Sequence, residues 1–197
     1  MARKKFVKLK IRNYGDPVLR QRGARIENIT PEIKALVADM FDTMREARGV
    51  GLAAQQVGHA LQLALIDVRG IKDRPSTMEV DGKPVDPEKH MPLVLINPQV
   101  TLLGEKVTGP EGCLSFPEIF GDITRPGEVE VTATTEEGAM VAFRAGGLLA
   151  KAVQHEFDHL QGILFIDRMT TASKAEVRDE YELLAEETKV ELKKKKR

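Results

Sequence analysis

The strongest hydrophobic pattern in the first half of the chain begins after Thr30, where apolar residues recur at the spacing of one helix face. The Thr30 hydroxyl group suits an N-terminal cap, and Pro31 suits the first turn. The apolar stripe comprises Ile33, Leu36, Val37, Met40, Phe41 and Met44. Gly49 suits a left-handed C-terminal cap. The pattern therefore predicts an amphipathic helix that ends close to Gly49.

Short runs of apolar and β-branched residues predict strands on both sides of this helix. Residues 6–11 alternate apolar and basic positions, which predicts a first strand, and residues 61–67 predict a second. Later runs, separated by turn-forming residues, predict antiparallel hairpins at 93–96, 100–103, 129–134 and 139–143. Residues 70–91 are polar and carry several prolines, so we expect an exposed excursion there with a tight turn at Asp81-Gly82.

A second helical pattern passes through a group of polar residues at 154–162. One row of that helix comprises Leu148, Ala152, His155 and His159, and the adjacent row comprises Leu149, Val153, Glu156 and Leu160. Two imidazoles and a carboxylate on an apolar face are costly to desolvate without partners. His155 and His159 share one face because they are four residues apart, so a single divalent cation can satisfy them. The alternative is two core histidines that bind backbone groups.

The last stretch of sequence predicts a third helix and a basic tail. Ser173 and Glu176 suit a capping box, and the apolar spacing from Val177 to Thr188 predicts an amphipathic helix. The predicted fold class is α+β, with short mixed or antiparallel β-sheets around the central HExxH helix, a helix in the N-terminal half and an amphipathic C-terminal helix. The 197 residues require only one domain, in which residues 170–197 form the C-terminal helix and tail.

Composition excludes several classes of protein. Lys plus Arg and Asp plus Glu number 30 each, so the overall charge points neither to DNA nor to a membrane surface. Basic residues concentrate at both ends, in Arg3-Lys4-Lys5 and in residues 193–197. No apolar run approaches the roughly 18 residues of a membrane span. The single cysteine, Cys113, excludes an internal disulfide and fits a reducing compartment, so we expect a cytoplasmic protein.

A catalytic site of the zinc type needs a third protein ligand beside the two histidines. Cys113 is the best candidate, because the helix lacks a third ligand and no downstream residue has the spacing of HExxH peptidases. Taken alone, a single cysteine is more often a small buried hydrophobe. Residues 49–58 form a glycine-rich segment with adjacent glutamines at 55 and 56. A loop between a helix and a strand explains the glycines but leaves the glutamines unexplained.

Three motifs in fixed order resemble those of the peptide deformylases, metallohydrolases that remove the formyl group from nascent N-formylmethionyl peptides. Residues 51–58 are similar to the family's GxGLAAxQVG loop, residues 111–115 to EGCLS and residues 155–162 to HExDHLxG. Residues 14–20 resemble the family's opening segment, so the similarity extends over about residues 6–169.

The resemblance implies a role for each matching residue. Cys113, His155 and His159 would bind the metal, and Glu156 would act as general acid and base. The Gln56 side-chain amide and the Leu114 backbone N–H would stabilise the developing oxyanion. The implied substrate-binding residues are Val50, Gly51, Gly109, Glu111 and Gly112. The segments around these residues would pair with the peptide backbone as an added strand.

Two residues depart from the family's pattern, and we expect them to alter the shape of the pocket and not the chemistry. They are Gln55, where proline or threonine is common, and Phe116, where a small aliphatic residue is common. Within the motif helix, Asp158 is expected to form a buried pair with Arg125 and not to bind metal.

The family characteristically uses Fe(II), one ion per chain, and zinc, nickel or cobalt can replace it. The implied partner is an N-formylmethionyl peptide. Ribosome association through the basic C-terminus is a second possibility beside a merely solvated helix end. Two other functions stay open at this point: an HExxH metallopeptidase, and a non-catalytic relative that keeps the fold as a binding module. The peptidase would not need Cys113 or Gln56, and the binding module should have lost Glu156 or a metal ligand.

Overall fold

Seven antiparallel strands form one sheet in the computed structural model, which describes residues 8–195. The strands are β1 Gly51–Ala53, β2 Leu63–Ile66, β3 Ser76–Val80, β4 Lys83–Val85, β5 Leu93–Cys113, β6 Phe116–Thr134 and β7 Met140–Gly146. Their order across the sheet is β1-β2-β5-β6-β7-β3-β4. The predicted α+β class is confirmed, with this single sheet in place of several short ones. A single domain stays a prediction.

Four α-helices accompany the sheet: α1 Pro31–Glu46, α2 Gly147–Leu160, α3 Thr171–Glu176 and α4 Arg178–Lys195. The predicted start of α1 is confirmed, because the Thr30 hydroxyl group accepts a hydrogen bond from the Ile33 N–H. The predicted cap at Gly49 is wrong. Arg48 takes the left-handed conformation instead, with φ 56°, and the Gly49 N–H donates to the Met44 carbonyl oxygen at 3.0 Å.

The HExxH helix α2 is the centre of the fold, as predicted. Its side chains are buried on most sides and pack against the sheet. The helix begins where β7 ends, and the chain turns there at Gly147, which has φ 64°. A β-carbon at Gly147 would lie 2.1 Å from the Pro75 carbonyl oxygen, so only glycine permits this close start against β3.

The strands around α2 are longer than the sequence pattern predicts. Residues 93–96 and 100–103 belong to one strand, β5, and residues 129–134 are only the end of β6. The turn-forming residue Asn97 does not end β5. It lies at a register shift between Ile96 and Gln99, after which the pairing with β6 resumes. Such irregularities bend a strand and keep it in the sheet.

Two further expectations for strands are wrong. Within the supposed excursion 70–91, β3 and β4 form a hairpin around Asp81 and Gly82, as the turn prediction requires, but β3 also pairs with β7 and buries Met78. The predicted first strand is absent from residues 8–11, and the rest of that prediction lies outside the described residues. There the chain makes isolated hydrogen bonds to its neighbours, such as that from the Leu9 N–H to Thr43 Oγ1.

The predicted single C-terminal helix is two helices, of which α3 begins earlier than predicted and α4 packs against the start of the chain. Thr170, not Ser173, caps α3, since its Oγ1 accepts from the Ser173 N–H at 3.1 Å. In α4, Tyr181 is buried, and a β-carbon at Gly15 would lie 2.6 Å from the Ala185 carbonyl oxygen. No helix within residues 8–195 has the length and apolar character needed to cross a membrane.

Candidate metal centre and active site

Three side chains converge on one point between α2 and the end of β5. Cys113 Sγ lies 3.3 Å from His159 Nε2, and the ligand atoms of Cys113, His155 and His159 all lie within 4.8 Å of one another. Ligand atoms of a tetrahedral site, each about 2.0–2.3 Å from the ion, are about 3.3–3.8 Å apart. A thiol and two imidazoles at these separations fit one divalent ion after a small contraction.

Local structure explains why these three residues meet. His155 and His159 lie one turn apart on the buried face of α2. Cys113 is the last residue of β5, where a tight turn pairs it with Phe116. Burial lowers the pKa of His159 well below its ordinary value, which favours the neutral imidazole that metal binding requires.

Glu156 lies next to the first histidine and is buried against β1. A β-carbon at Gly51 would lie 2.3 Å from Glu156 Oε1, so glycine at this position makes room for the carboxylate. Glu156 Oε2 has no hydrogen-bond partner among the described residues. Burial raises the pKa of Glu156 to about 7, against the opposing charges of His155 and Arg125. A carboxyl group with this pKa can both accept and donate a proton near neutral pH.

Gln56 presents its amide nitrogen to the same point. Its Oε1 accepts a hydrogen bond from the Ala53 N–H at 2.8 Å, which fixes the orientation of the amide group. Its Nε2 consequently faces Cys113 Sγ and Ser115 Oγ, each at 3.4 Å. Ser115 is a site residue that the sequence did not single out. Leu114 follows Cys113 in the turn and lines the same cleft.

A buried network of ion pairs contacts the Nδ1 atom of His155. The predicted pair is confirmed: Arg125 Nη1 lies 2.8 Å from Asp158 Oδ2, and Arg168 binds the same carboxylate. Arg125 also binds both oxygens of Glu111, at 2.7 and 3.0 Å. Glu111 Oε2 in turn lies 3.2 Å from His155 Nδ1. This contact leaves the other ring nitrogen of His155 for the metal.

The carboxylate of Glu111 therefore has a structural task beyond the predicted contact with substrate. Burial raises its pKa, but the hydrogen bonds from His155 and Arg125 outweigh that effect and lower the pKa to about 2. Glu111 is thus ionised and committed to its partners. Only its backbone groups remain for a peptide substrate.

We expect Arg125→Met to destabilise the protein by about 3–5 kcal/mol, because it leaves the buried carboxylate of Glu111 without its guanidinium partner and Asp158 with Arg168 alone. Urea unfolding of the metal-free protein measures this loss. Arg144→Met is the matched control, since Arg144 forms an exposed pair with Glu128 and should matter little. Equal stability of the two variants would contradict a structural role for the network.

Two of the three donors, Cys113 and His155, line a cleft of about 670 Å³ between β1, β5 and α2. The cleft contains most of the predicted substrate-binding residues, namely Val50, Gly51, Glu111 and Gly112. Gly109 is the exception, because it lies just beyond the lining, beside Pro110. Leu148 and Ala152 add an apolar wall from α2, which together with Val50 suits an apolar side chain.

Three cationic residues of the cleft are absent from the sequence-based prediction: Arg48, Arg74 and Lys151. Lys151 has a signal in the sequence, because it precedes His155 by four residues and must share its helix face. Arg48 and Arg74 have none. Arg48 reaches the cleft because it takes the left-handed conformation after α1. Arg74 reaches it because it lies in the segment just before β3.

Comparison with known proteins gives a consistent family. The family model for polypeptide deformylase matches residues 8–175. A peptide deformylase of Methylacidiphilum infernorum is 48% identical over 174 residues, which cover 88% of this chain and 91% of that protein. A peptide deformylase of Opitutus terrae is 40% identical over 183 residues, which cover 92% of this chain and 95% of its own.

Solved structures agree with the sequence relatives. The structure of an Arabidopsis thaliana peptide deformylase 1B mutant is 34% identical, with a TM-score of 0.80, and the match covers 93% of this chain and 94% of that one. The Thermotoga maritima peptide deformylase is 35% identical with a TM-score of 0.71, covering 83% of this chain and 99% of its own.

These matches cover nearly the whole of the relatives, and they displace both a general metallopeptidase and a non-catalytic binding module. The chain belongs to the peptide deformylase family of metal-dependent amide hydrolases, whose reaction is the removal of the N-formyl group from nascent polypeptides.

Proposed function

We propose that Cys113, His155 and His159 hold the catalytic metal of this deformylase, and that Glu156 is its general acid and base. The observation that carries the proposal is the convergence of the three donor atoms within 4.8 Å at the floor of a cleft that also contains Glu156 and Gln56. When bound there, a divalent cation lowers the pKa of water toward neutrality and polarises a carbonyl oxygen.

Glu156 moves the protons of the reaction. Its carboxylate takes a proton from the attacking water, and the protonated carboxyl group then donates that proton to the leaving amine nitrogen. The C–N bond of the formamide breaks, and formate and a free amino terminus leave the cleft. A pKa of about 7 and a buried oxygen without a partner suit both halves of this transfer.

Gln56 and Leu114 stabilise the oxyanion that forms in between. The Ala53 N–H holds Gln56 so that its amide N–H groups face the site. The Leu114 backbone N–H lies in the turn directly after Cys113, beside the same point. Donors fixed before the reaction stabilise the developing charge without reorganisation.

The substrate lies along the cleft as an added strand. The side of β5 that faces away from β6 pairs with β2 only over residues 93–96, so its last residues offer free backbone groups within the described part of the chain. Gly51 and the residues before it form the opposite wall. The side chain of the first residue enters the apolar pocket formed by Val50, Leu148 and Ala152.

Formate release from formyl-Met-Ala-Ser tests the proposed function, with acetyl-Met-Ala-Ser as the control. A deformylase releases formate from the first peptide and no acetate from the second. Cleavage of internal amide bonds in either peptide would instead support a metallopeptidase.

We propose Fe(II) as the natural metal, with zinc, nickel or cobalt able to replace it. Support comes from the ligand set, in which one thiolate lowers the net charge and suits softer ions. Metal analysis of protein that was purified without oxygen identifies the occupant. We also place the protein in the cytoplasm, because its substrate is a nascent chain and its single cysteine is free.

The basic residues 193–197 form the last part of our proposal, in which they attract the protein to ribosomal RNA. Residues 193–195 are the last residues of α4, and residues 196 and 197 lie outside the described residues. We expect deletion of the five residues to weaken ribosome co-sedimentation at low salt, since phosphate contacts are salt-dependent. Turnover of a free peptide should not change, because none of the described tail residues 193–195 lines the cleft.

A variant with glutamine at all five positions is the matched control, as it keeps the length and removes the charge. It should behave like the deletion. Co-sedimentation equal to that of the wild type in both variants would leave these residues as a solvated helix end.

A further inference from the structure

Lys151 is a cation on the wall of the cleft that the proposed reaction does not use. It lies one turn before His155 on α2 and reaches toward the neighbouring strand β5. Its Nζ would lie 3.2 Å from a β-carbon at Gly109. Within the part of the chain that the structure describes, its only hydrogen bond is a long one, 3.5 Å, to the Pro110 carbonyl oxygen. Lys151 therefore forms no ion pair there and is available to a ligand.

The position of Lys151 along β5 determines which part of a substrate it can meet. The formyl group must reach Cys113, at the end of the strand, so the peptide extends from there back toward Gly109. If the first residue lies beside Glu111, two strand positions separate it from the residue beside Gly109. That residue is the third residue of the substrate.

The side chain of this third residue points toward Lys151. Side chains alternate between the two faces of an extended peptide, so the first and third share a face. The first side chain enters the pocket walled by Leu148 and Ala152 of α2. The third side chain consequently faces α2 as well, one step further out, where the ammonium group of Lys151 lies.

The charge balance of the cleft favours an acidic side chain at that point. Arg48 and Arg74 also line the cleft, so its lining carries three cations. Among the lining carboxylates, Glu111 is already neutralised by Arg125. Glu156 is reserved for proton transfer, which leaves Glu118 against the three cations. No carboxylate of the described residues is paired with Lys151.

We propose that Lys151 is a specificity-determining residue that selects formylated peptides with aspartate or glutamate at the third position. The inference rests on the proposed function, because it requires the peptide to lie along β5 as an added strand. The ion pair forms in a half-exposed site, so we expect a preference of about two- to fivefold in kcat/KM for an acidic over an isosteric neutral residue. The preference should reside in KM, since the pair is the same in the ground and transition states.

Four peptides test the proposal: formyl-Met-Ala-Asp-amide, formyl-Met-Ala-Asn-amide, formyl-Met-Asp-Ala-amide and formyl-Met-Asn-Ala-amide. The terminal amide matters because a free carboxylate would itself place a negative charge near Lys151. The third-position pair should differ in KM, and the second-position pair should not. High salt should reduce the difference, since exposed charges are screened.

Lys151→Met removes the charge and keeps most of the apolar stem, and Lys151→Glu reverses it. We expect the aspartate preference to disappear in the first variant and to invert in the second. Lys34→Met is the matched control, because Lys34 is an exposed lysine of α1 outside the cleft. It should retain the wild-type ratio.

The outcomes distinguish failure of the proposed role of Lys151 from failure of the proposed deformylase function. If the wild type releases no formate from any of the four peptides, the proposed function fails. If it releases formate from all of them with an Asp to Asn ratio of one at the third position, the function stands and the role of Lys151 is overturned. A preference that survives in Lys151→Met, or one that appears at the second position instead, also overturns it.

Discussion

Glu156→Gln is expected to reduce formate release by at least about two orders of magnitude and to leave a folded, metal-loaded protein. A positioned acid and base contributes on this scale. The glutamine side chain has the shape of the carboxyl group, so it fits the space above Gly51, where Glu156 Oε1 lies. An amide can neither take the proton of the attacking water nor deliver it to the amine. Binding of the metal and of the peptide should therefore persist.

The measurement compares formate release, metal content and thermal unfolding of the variant and the wild type. Glu137→Gln is the matched control, since Glu137 is exposed in the turn before β7 and should leave all three unchanged. Activity of Glu156→Gln within a few-fold of the wild type would remove Glu156 from the mechanism.

Cys113→Ala is expected to lose metal and activity together. Two imidazoles leave the site one protein ligand short, and alanine supplies no donor atom. The readout is metal content per chain, measured by competition with a coloured chelator, alongside formate release. Cys113 is half-buried in the turn between β5 and β6, so unfolding curves are needed to separate loss of metal from loss of fold.

Exposure to air bears on the identity of the metal. The wild type loaded with Fe(II) should lose activity in air, through oxidation of the iron or of the thiolate, and replacement by nickel or zinc should slow that loss. If Cys113→Ala kept tightly bound metal at one ion per chain and near-normal turnover, Cys113 would be only a buried thiol, and our assignment of this site would be lost.

The sequence predicted the chemistry of the site better than the shape of the sheet. The i, i+4 spacing of His155 and His159 lies within one helix, where local geometry places both side chains on the same face. Cys113 joined them in the prediction only because a metal site needs a third ligand and the family's motif supplies one. The partner of Asp158 was also predictable, because a buried carboxylate requires a cation.

The errors occurred where tertiary contacts override local preferences. Asn97 favours a turn, yet hydrogen bonds across the sheet carry β5 past it through a register shift. Gly49 favours a left-handed cap, yet Arg48 takes that conformation, and a β-carbon at Gly49 would lie 2.7 Å from Leu114 Cδ1. A side chain at this position would thus disturb the packing of Leu114, and not a helix cap. No local pattern reveals such a contact between distant segments.

The packing of α4 against the start of the chain has a consequence for the order in which the protein is made. Tyr14 stacks on Phe116 and meets the ring of Tyr181 edge-on. Tyr14 is synthesised early but can complete these contacts only after α4, which carries Tyr181, has been synthesised. His155 and His159 also follow Cys113 in the chain, separated from it by β6 and β7. A partly synthesised chain therefore has the thiol without the imidazoles. With the proposed ligand set, metal loading comes only after translation has passed α2, and the enzyme becomes active only then.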